Sequence, residues 1–178
     1  MPDFFTVVKE RRMVRKFKKK EVPFELIEKI IEAGRWAPSA MNTQPWEFII
    51  VRSNEGRKKV REIYDEASST AGFYKQNTEF IENAVLIITL SDTEKIAHKL
   101  STAAAVENML LAATALGLGS VWLYRPLAVE KTINELKKFF KIPEKYEIIG
   151  IIAVGYPDEK PQAKERRKLT EIIHYEKF

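Results

Sequence analysis

The chain has 178 residues, 45% of them hydrophobic, which fits one globular domain. It contains no cysteine, so disulfides, thiolate nucleophiles and thiolate metal ligands are excluded together. The net charge of +5 is concentrated early, at Arg11, Arg12, Arg15, Lys16, Lys18, Lys19 and Lys20, and late, at Lys164, Arg166, Arg167 and Lys168. Such clusters suit an anionic partner, either a phosphorylated small molecule or nucleic acid. No run reaches the roughly 18 apolar residues of a membrane span. The first residues lack the basic start and apolar stretch of a signal peptide, so a cytoplasmic location is expected.

From Asp3 to Glu10, Phe4, Phe5, Val7 and Val8 share a helix-like face. The segment ends on Arg11 and Arg12, where cations suit the helix dipole. Residues 13–21 read as loop. Pro23 opens a second helix with Leu26, Ile27, Ile30 and Ile31 at helical spacing, and Gly34 is its terminator or a close-packing site. Residues 37–46, Ala-Pro-Ser-Ala-Met-Asn-Thr-Gln-Pro-Trp, have no helical or strand period. Prolines bracket them, and their side chains carry hydroxyls and amides. Held between an apolar helix and the strand Trp46 to Arg52, such a loop presents hydrogen-bond groups at fixed positions.

Asn54 is the expected cap of a helix running to Ala67. Residues 68–83 are the least regular part of the chain and read as a mobile lid. Ala84 to Leu90 is a continuous apolar run, expected as a buried strand. Thr93 to Leu116 is the longest predicted helix, about 35 Å if continuous. Its centre is small and apolar on more than one face, so it is expected to be buried on several sides, one of them supplied by a second copy of the chain. Glu107 and Asn108 within it need partners. Gly117-Leu118-Gly119 ends the helix, Ser120 to Tyr124 is a short strand, and Arg125-Pro126 breaks it. Val129 to Phe140 is helical. Ile148 to Gly155, the most hydrophobic strand, is expected centrally in the sheet. Helices thus alternate with about four strands, as in a layered α/β or α+β domain.

The two histidines, His98 and His174, have no metal-ligand spacing, and no Gly-x-Ser-x-Gly elbow occurs. Gly150 and Gly155 match the outer glycines of a phosphate loop, but Tyr156-Pro157 stands where Lys and Ser or Thr are required. Gly117 and Gly119 follow a helix instead of a strand, so they are not a dinucleotide fingerprint. What remains is arginine and backbone. Arg11, Arg12 and Arg15 can grip a phosphate through planar guanidinium forks. Ser39, Asn42, Thr43 and Gln44 can bond sugar-like hydroxyls or a heterocycle edge, and Pro38, Met41 and Trp46 offer apolar surface to a flat ring. With no nucleophile or poised base in view, a cofactor is expected to do the chemistry. The alternative is a basic nucleic-acid-binding module. Against it, aromatic residues are not interleaved with the basic ones, and no groove-reading motif is present.

Arg11-Arg12-Met13-Val14-Arg15-Lys16-Phe17, followed one helix later by residues 37–48, resembles the N-terminal half of the FMN-dependent nitroreductase family. The family pattern is Arg-Arg-Ser-x-Arg-x-Phe, then Ala-Pro-Ser-x-x-Asn-x-Gln-Pro-Trp. The likeness continues through the Ala-rich helix to Trp122, then Gly155-Tyr156-Pro157 and Lys164 to Arg167, leaving about 54–83 unmatched. The resemblance implies an α+β three-layer sandwich, with a central mixed sheet of about four to five strands flanked by helices. It implies a single domain over 1–178 and an intertwined homodimer with FMN at the subunit interface. It also implies ping-pong transfer from NADH or NADPH, through N5 of bound flavin, to a small acceptor such as a nitroaromatic or a quinone. No side chain or metal is catalytic in that scheme, and neither nucleic acid nor membrane is a partner. By matching position, Arg11, Arg12, Met13 and Arg15 contact the phosphate and polar edge of FMN. Pro38, Ser39, Ala40, Asn42 and Gln44 of the other subunit line the ring and ribityl chain. Tyr124 and Arg125 lie near flavin N5 and O4, and Lys164 with Arg166 or Arg167 supplies late phosphate contacts. Met13 replaces the usual Ser. Arg125 stands where many members have Gly, so it can narrow the substrate space or attract anionic substrates. Reductive dehalogenation and flavin breakdown are the alternative flavin chemistries.

Overall fold

The computed structural model describes residues 2–178. Two apolar, β-branched strands form its middle: β2 (Val85–Asp92) and β4 (Tyr146–Gly155). Their outer neighbours are β1 (Trp46–Val51) and β3 (Gly119–Leu123), giving the order β1-β2-β4-β3. The strand expected at the centre is thus interior. All three strand pairs are antiparallel. The mixed character expected of the sheet is confined, among the described residues, to one isolated parallel bridge between Met13 and Ser120.

Side chains alternate across a strand, so the sheet has two apolar faces, and helices cover both. Leu86, Ile88 and Leu90 pack against Val60 and Ile63 of α3 (Asn54–Thr70) and Leu136 of α5 (Glu130–Phe140). Val85 and Ile87 pack against Ile27 and Ile30 of α2 (Phe24–Arg35) and Val106 and Met109 of α4 (His98–Ala115). Each such side chain, fully buried, contributes about 1.5–3 kcal/mol. The result is the expected three-layer α+β sandwich. Gly34 serves close packing near the end of α2, because a Cβ there would lie 2.7 Å from Met109 Cγ.

Several boundaries differ from expectation. α4 begins at His98 instead of Thr93, because residues 93–97 form turns. There Thr93 N donates to Lys145 O (2.9 Å), Glu94 N donates to Asp92 Oδ1 (3.0 Å), and Ala97 is left-handed at φ 50°. α3 runs on to Thr70, and Ser53, not Asn54, caps it by accepting from Gly56 N. Ser68 to Thr70, expected in the irregular segment, are therefore helical, and Ser68 is buried. At its other end Phe80 and Ile81 are buried in a 3-10 turn. The irregular part contracts to residues 71–78. The polar groups of α4 find partners: Asn108 Nδ2 donates to Ala33 O (3.1 Å), and Glu107 pairs with Arg11 at 3.4 Å.

The β2–β4 register slips between Thr89 and Leu90, leaving Ile149 as a bulge residue. Thr89 Oγ1 fastens the bulge by donating to Gly150 O (2.9 Å). The indole of Trp122 lies over Gly150, where an added Cβ would come within 1.8 Å of Nε1. Gly150→Ala is expected to overpack this site and cost about 1–3 kcal/mol, read as a lowered urea midpoint at unchanged m-value.

Candidate functional site

α1 (Phe4–Glu10), capped by Asp3, delivers the chain at Arg11. The next residues run as a strap against the sheet. Val14 N donates to Ser120 O (3.0 Å), Lys18 N to Tyr156 O (2.9 Å) and Asp158 N to Lys16 O (2.9 Å). Bridges at Met13–Ser120 and Phe17–Pro157 flank Gly119 and Gly155, which face each other in register. A Cβ on Gly119 would lie 2.9 Å from Val14, and one on Gly155 would lie 2.9 Å from the Phe17 ring. The two glycines therefore let Val14 and Phe17 dock, and both are buried. The backbone that carries the cations between and before them is fixed as a result. Arg12 Nη1 donates to Arg11 O (2.8 Å) and to Lys9 O, while its Nε is buried without a partner among the described residues. Arg15 is exposed.

The polar loop is anchored by buried Ala37 and Trp46, packed on Ala105 of α4. Ser39 Oγ accepts from Gln44 N (3.0 Å), and Ala40 N donates to Ser101 Oγ (3.4 Å). Between them the chain makes a 3-10 turn, Ala40–Asn42, with Met41, Asn42 and Gln44 at φ 52°, 54° and 45°. Left-handed backbone costs a non-glycine residue on the order of 1–2 kcal/mol, and such strain clusters at functional sites. Pro38, Met41, Asn42 and Gln44 are exposed, Ser39 and Ala40 half-buried.

These two halves do not meet within the chain. β1 and β3 are opposite edges of the sheet, about 14 Å apart over three strand spacings. Trp46 pairs with Ser91, whereas Ser120 pairs with Val154 and through it with Val85, roughly 20 Å further along the strand direction. Among the described residues no hydrogen bond joins loop and strap. α4 touches both, at Ser101 and at Glu107, about 9 Å apart along its axis.

β3 stops at Leu123, one residue short of expectation, leaving Tyr124 exposed. Arg125 opens a 3-10 turn, Arg125–Leu127. Its guanidinium carbon lies 4.3 Å from the ring centre of Tyr74, 5.0 Å from Phe73 and 5.6 Å from Tyr64, and Nη1 donates to Tyr74 O (3.0 Å). These residues line a cavity of about 680 Å³ between α3, the 71–78 segment and the Arg125 turn. Tyr64 was not singled out by the sequence. The only signal was an aromatic hydroxyl on the face that also carries Val60, Ile63 and Ala67. Gln76 Nε2 donates to its hydroxyl oxygen. Burial pushes the Tyr64 phenol above its ordinary pKa, against the opposing pull of Arg125 and Arg15. Lys164 and Arg166 are exposed in the tail, with no ion pair or hydrogen bond among the described residues. Arg167 is engaged by Glu171.

The strap and the sheet that receives it fall within residues 8–156, which match the family model described as Nitroreductase family. The chain belongs to the nitroreductase family. A relative from Methanothermobacter thermautotrophicus, provisionally named an NADH dehydrogenase/NAD(P)H nitroreductase, is 35% identical over 99% of this chain and 88% of its own length. The structure of an oxidised iodotyrosine deiodinase bound to FMN and 3-iodo-L-tyrosine superimposes with a TM-score of 0.88, at 26% identity over 99% of this chain and all of that one. A family member from Desulfovibrio desulfuricans in complex with FMN has a TM-score of 0.78, at 29% identity over all of this chain and 99% of that one.

The residues present fit a flavin mononucleotide. A dianionic phosphate suits Arg11, Arg12 and Arg15 of the strap, where Arg12 Nε is buried without a partner among the described residues, and in the polar loop Thr43 Oγ1 is buried without one as well. The Tyr64 shift gives a test of the geometry. A folded-state pKa above the unfolded value makes Tyr64 ionisation reduce stability as pH rises past about 10. Arg125→Gln removes a cation that lowers the value, so Tyr64 should ionise at still higher pH. A ring-labelled tyrosine NMR titration reads this directly, and an unmoved Tyr64 resonance would contradict the geometry.

Proposed function

We propose that the protein is an FMN-dependent NAD(P)H oxidoreductase that reduces a small organic acceptor, a nitroaromatic or quinone, and works as a homodimer. The observation that carries this reading is the separation of strap and loop. Both are rigidly built and belong to one family motif, yet they lie at opposite edges and ends of the sheet. Two chains are needed to complete one flavin site, the strap from one and the loop from its partner. Exposed Phe4, Phe5, Trp36 and Leu100 supply apolar surface for that association.

Bound FMN supplies two-electron transfer between NAD(P)H and the acceptor. The chain's own residues bind and orient. Arg11 and Arg12, with Lys164 and Arg166 of the tail, hold the phosphate, and Met13 packs at the position where the family has Ser. Pro38, Ser39, Ala40, Asn42 and Gln44 line the ring and its chain, held by the Ser39–Gln44 and Ala40–Ser101 bonds. Tyr124 and Arg125 border the reacting edge. Residues 71–78 cover the cavity as a lid and exclude water from it, and the whole chain acts as one FMN-binding domain. Donor and acceptor use this space in turn. Arg15, exposed and free to approach the polar edge of the flavin, stabilises negative charge there.

A second reading, reductive dehalogenation of a halogenated phenol, is supported by the full-length likeness to the iodotyrosine deiodinase structure. Anaerobic titration of the yellow protein with NADH and NADPH, followed by nitroaromatics, quinones and 3-iodo-L-tyrosine, separates the two. A protein that takes up no FMN would overturn both. Dilution that splits the dimer should release flavin. Arg15→Ala is expected to keep FMN but lower its midpoint potential by roughly 30 mV, about 1.4 kcal/mol for two electrons. An unchanged potential would remove Arg15 from that role.

A further inference from the structure

We propose that Arg125 is the anion-binding group of the acceptor site, and that the acceptors it selects are flat aromatic rings bearing a carboxylate. The assignment to an acceptor rests on the oxidoreductase reading above, whereas the binding preference stands on geometry. A guanidinium has five N–H donors, and Arg125 commits one of them, to Tyr74 O. No carboxylate lies within ion-pair distance of it among the described residues. The contrast is inside the same cavity: the charge of Arg61 is paired with two carboxylates, Glu82 (2.7 Å) and Asp65 (3.9 Å), and its Nε donates to Thr78 Oγ1 (3.1 Å).

The two acidic side chains of the lining are likewise engaged. Asp65 accepts from Thr78 Oγ1 and pairs with Arg61, and Glu79 accepts from Asn77 Nδ2. Lys75 adds a further positive charge to the lining. The open chemistry of the cavity is therefore a cation with spare donors, ringed by Tyr64, Phe73 and Tyr74. A planar fork takes both oxygens of a carboxylate, and the surrounding rings offer faces and edges to an aromatic body. The volume, about 680 Å³, suits a ligand of that size. An aliphatic anion would leave the rings unused, and a neutral arene would leave the guanidinium unpaired.

The test uses the FMN-loaded protein and a readout independent of turnover. Benzoate and benzamide, which share shape and cannot be reduced by it, are titrated calorimetrically into wild type, Arg125→Gln and Arg125→Lys. Wild type should bind benzoate at least 10-fold more tightly than benzamide. Arg125→Gln should lose roughly 10- to 100-fold in benzoate affinity with little change for benzamide. Arg125→Lys, which keeps the charge without the fork, should retain a smaller preference and so separate recognition from misfolding. The same ordering is expected in kcat/KM for 4-nitrobenzoate against 4-nitrobenzamide. Equal affinities in wild type, or a preference surviving in Arg125→Gln, would overturn the proposal. If the benzoate preference holds but NAD(P)H fails to reduce the flavin, the oxidoreductase reading falls while the anion site remains. If NAD(P)H reduces the flavin and the preference is missing, the anion site falls alone.

Discussion

Two side chains that are missing decide where the arginines stand. Gly119 and Gly155 sit opposite each other on β3 and β4, and the space above them is filled by Val14 and Phe17. A methyl group at either position would meet its neighbour at 2.9 Å and lift the strap away from the sheet. Backbone bonds on both sides convert that contact into a register, so residues 11–15 cannot slide along the edge. Phe17 also faces Phe80, with ring centres 6.3 Å apart, and Phe80 is the buried anchor on which the 71–78 segment returns. One docking event thus sets the strap and one wall of the cavity together.

α4 works as the common axle of the remaining parts. It accepts the polar loop at Ser101, binds α2 through Asn108 and holds Arg11 through Glu107. Its first and middle turns therefore serve different parts of the site. This explains a composition that looks unselective in the sequence: small residues permit close approach by the loop and α2, and each of these polar residues meets a partner from a different part of the chain. The half-exposed Glu107–Arg11 pair contributes little stability by itself, about 0–1 kcal/mol. Its importance is directional, because it fixes a long cationic side chain that would otherwise sample many rotamers.

Most of the architecture was legible. Each α-helix and strand was anticipated, α3 from a capping residue and most others from apolar patterning, and the hydrophobicity of residues 148–155 placed that strand inside the sheet, because only a strand covered on both faces is apolar throughout. Boundaries failed where side chains compete with helix geometry. The Asp92 carboxylate and Lys145 carbonyl capture residues 93–94 in turns, and no local pattern announces the contact with Lys145 across 52 residues. The arginine motif and the polar loop were readable because each is local in sequence. The docking role of Gly119 and Gly155 was not, since a glycine beside a turn or ending a strand has a sufficient local explanation. Arg125 stood out in the sequence as a cation at an unusual place. Its ring of Tyr64, Phe73 and Tyr74 did not, because residues 51–61 positions away are brought to it only by the tertiary fold.

Arg125 also holds the carbonyl of Tyr74, and so it fastens the 71–78 segment as well as facing the cavity. The donor that holds this carbonyl and the spare donors open to a carboxylate belong to one rigid plane. Any ligand that draws the guanidinium toward itself alters the hold on the segment, and any change that stiffens the segment alters how the ligand is received. By linkage the two effects are equal in free energy. The motion of eight residues and the charge of a small molecule are in this way coupled through one planar group.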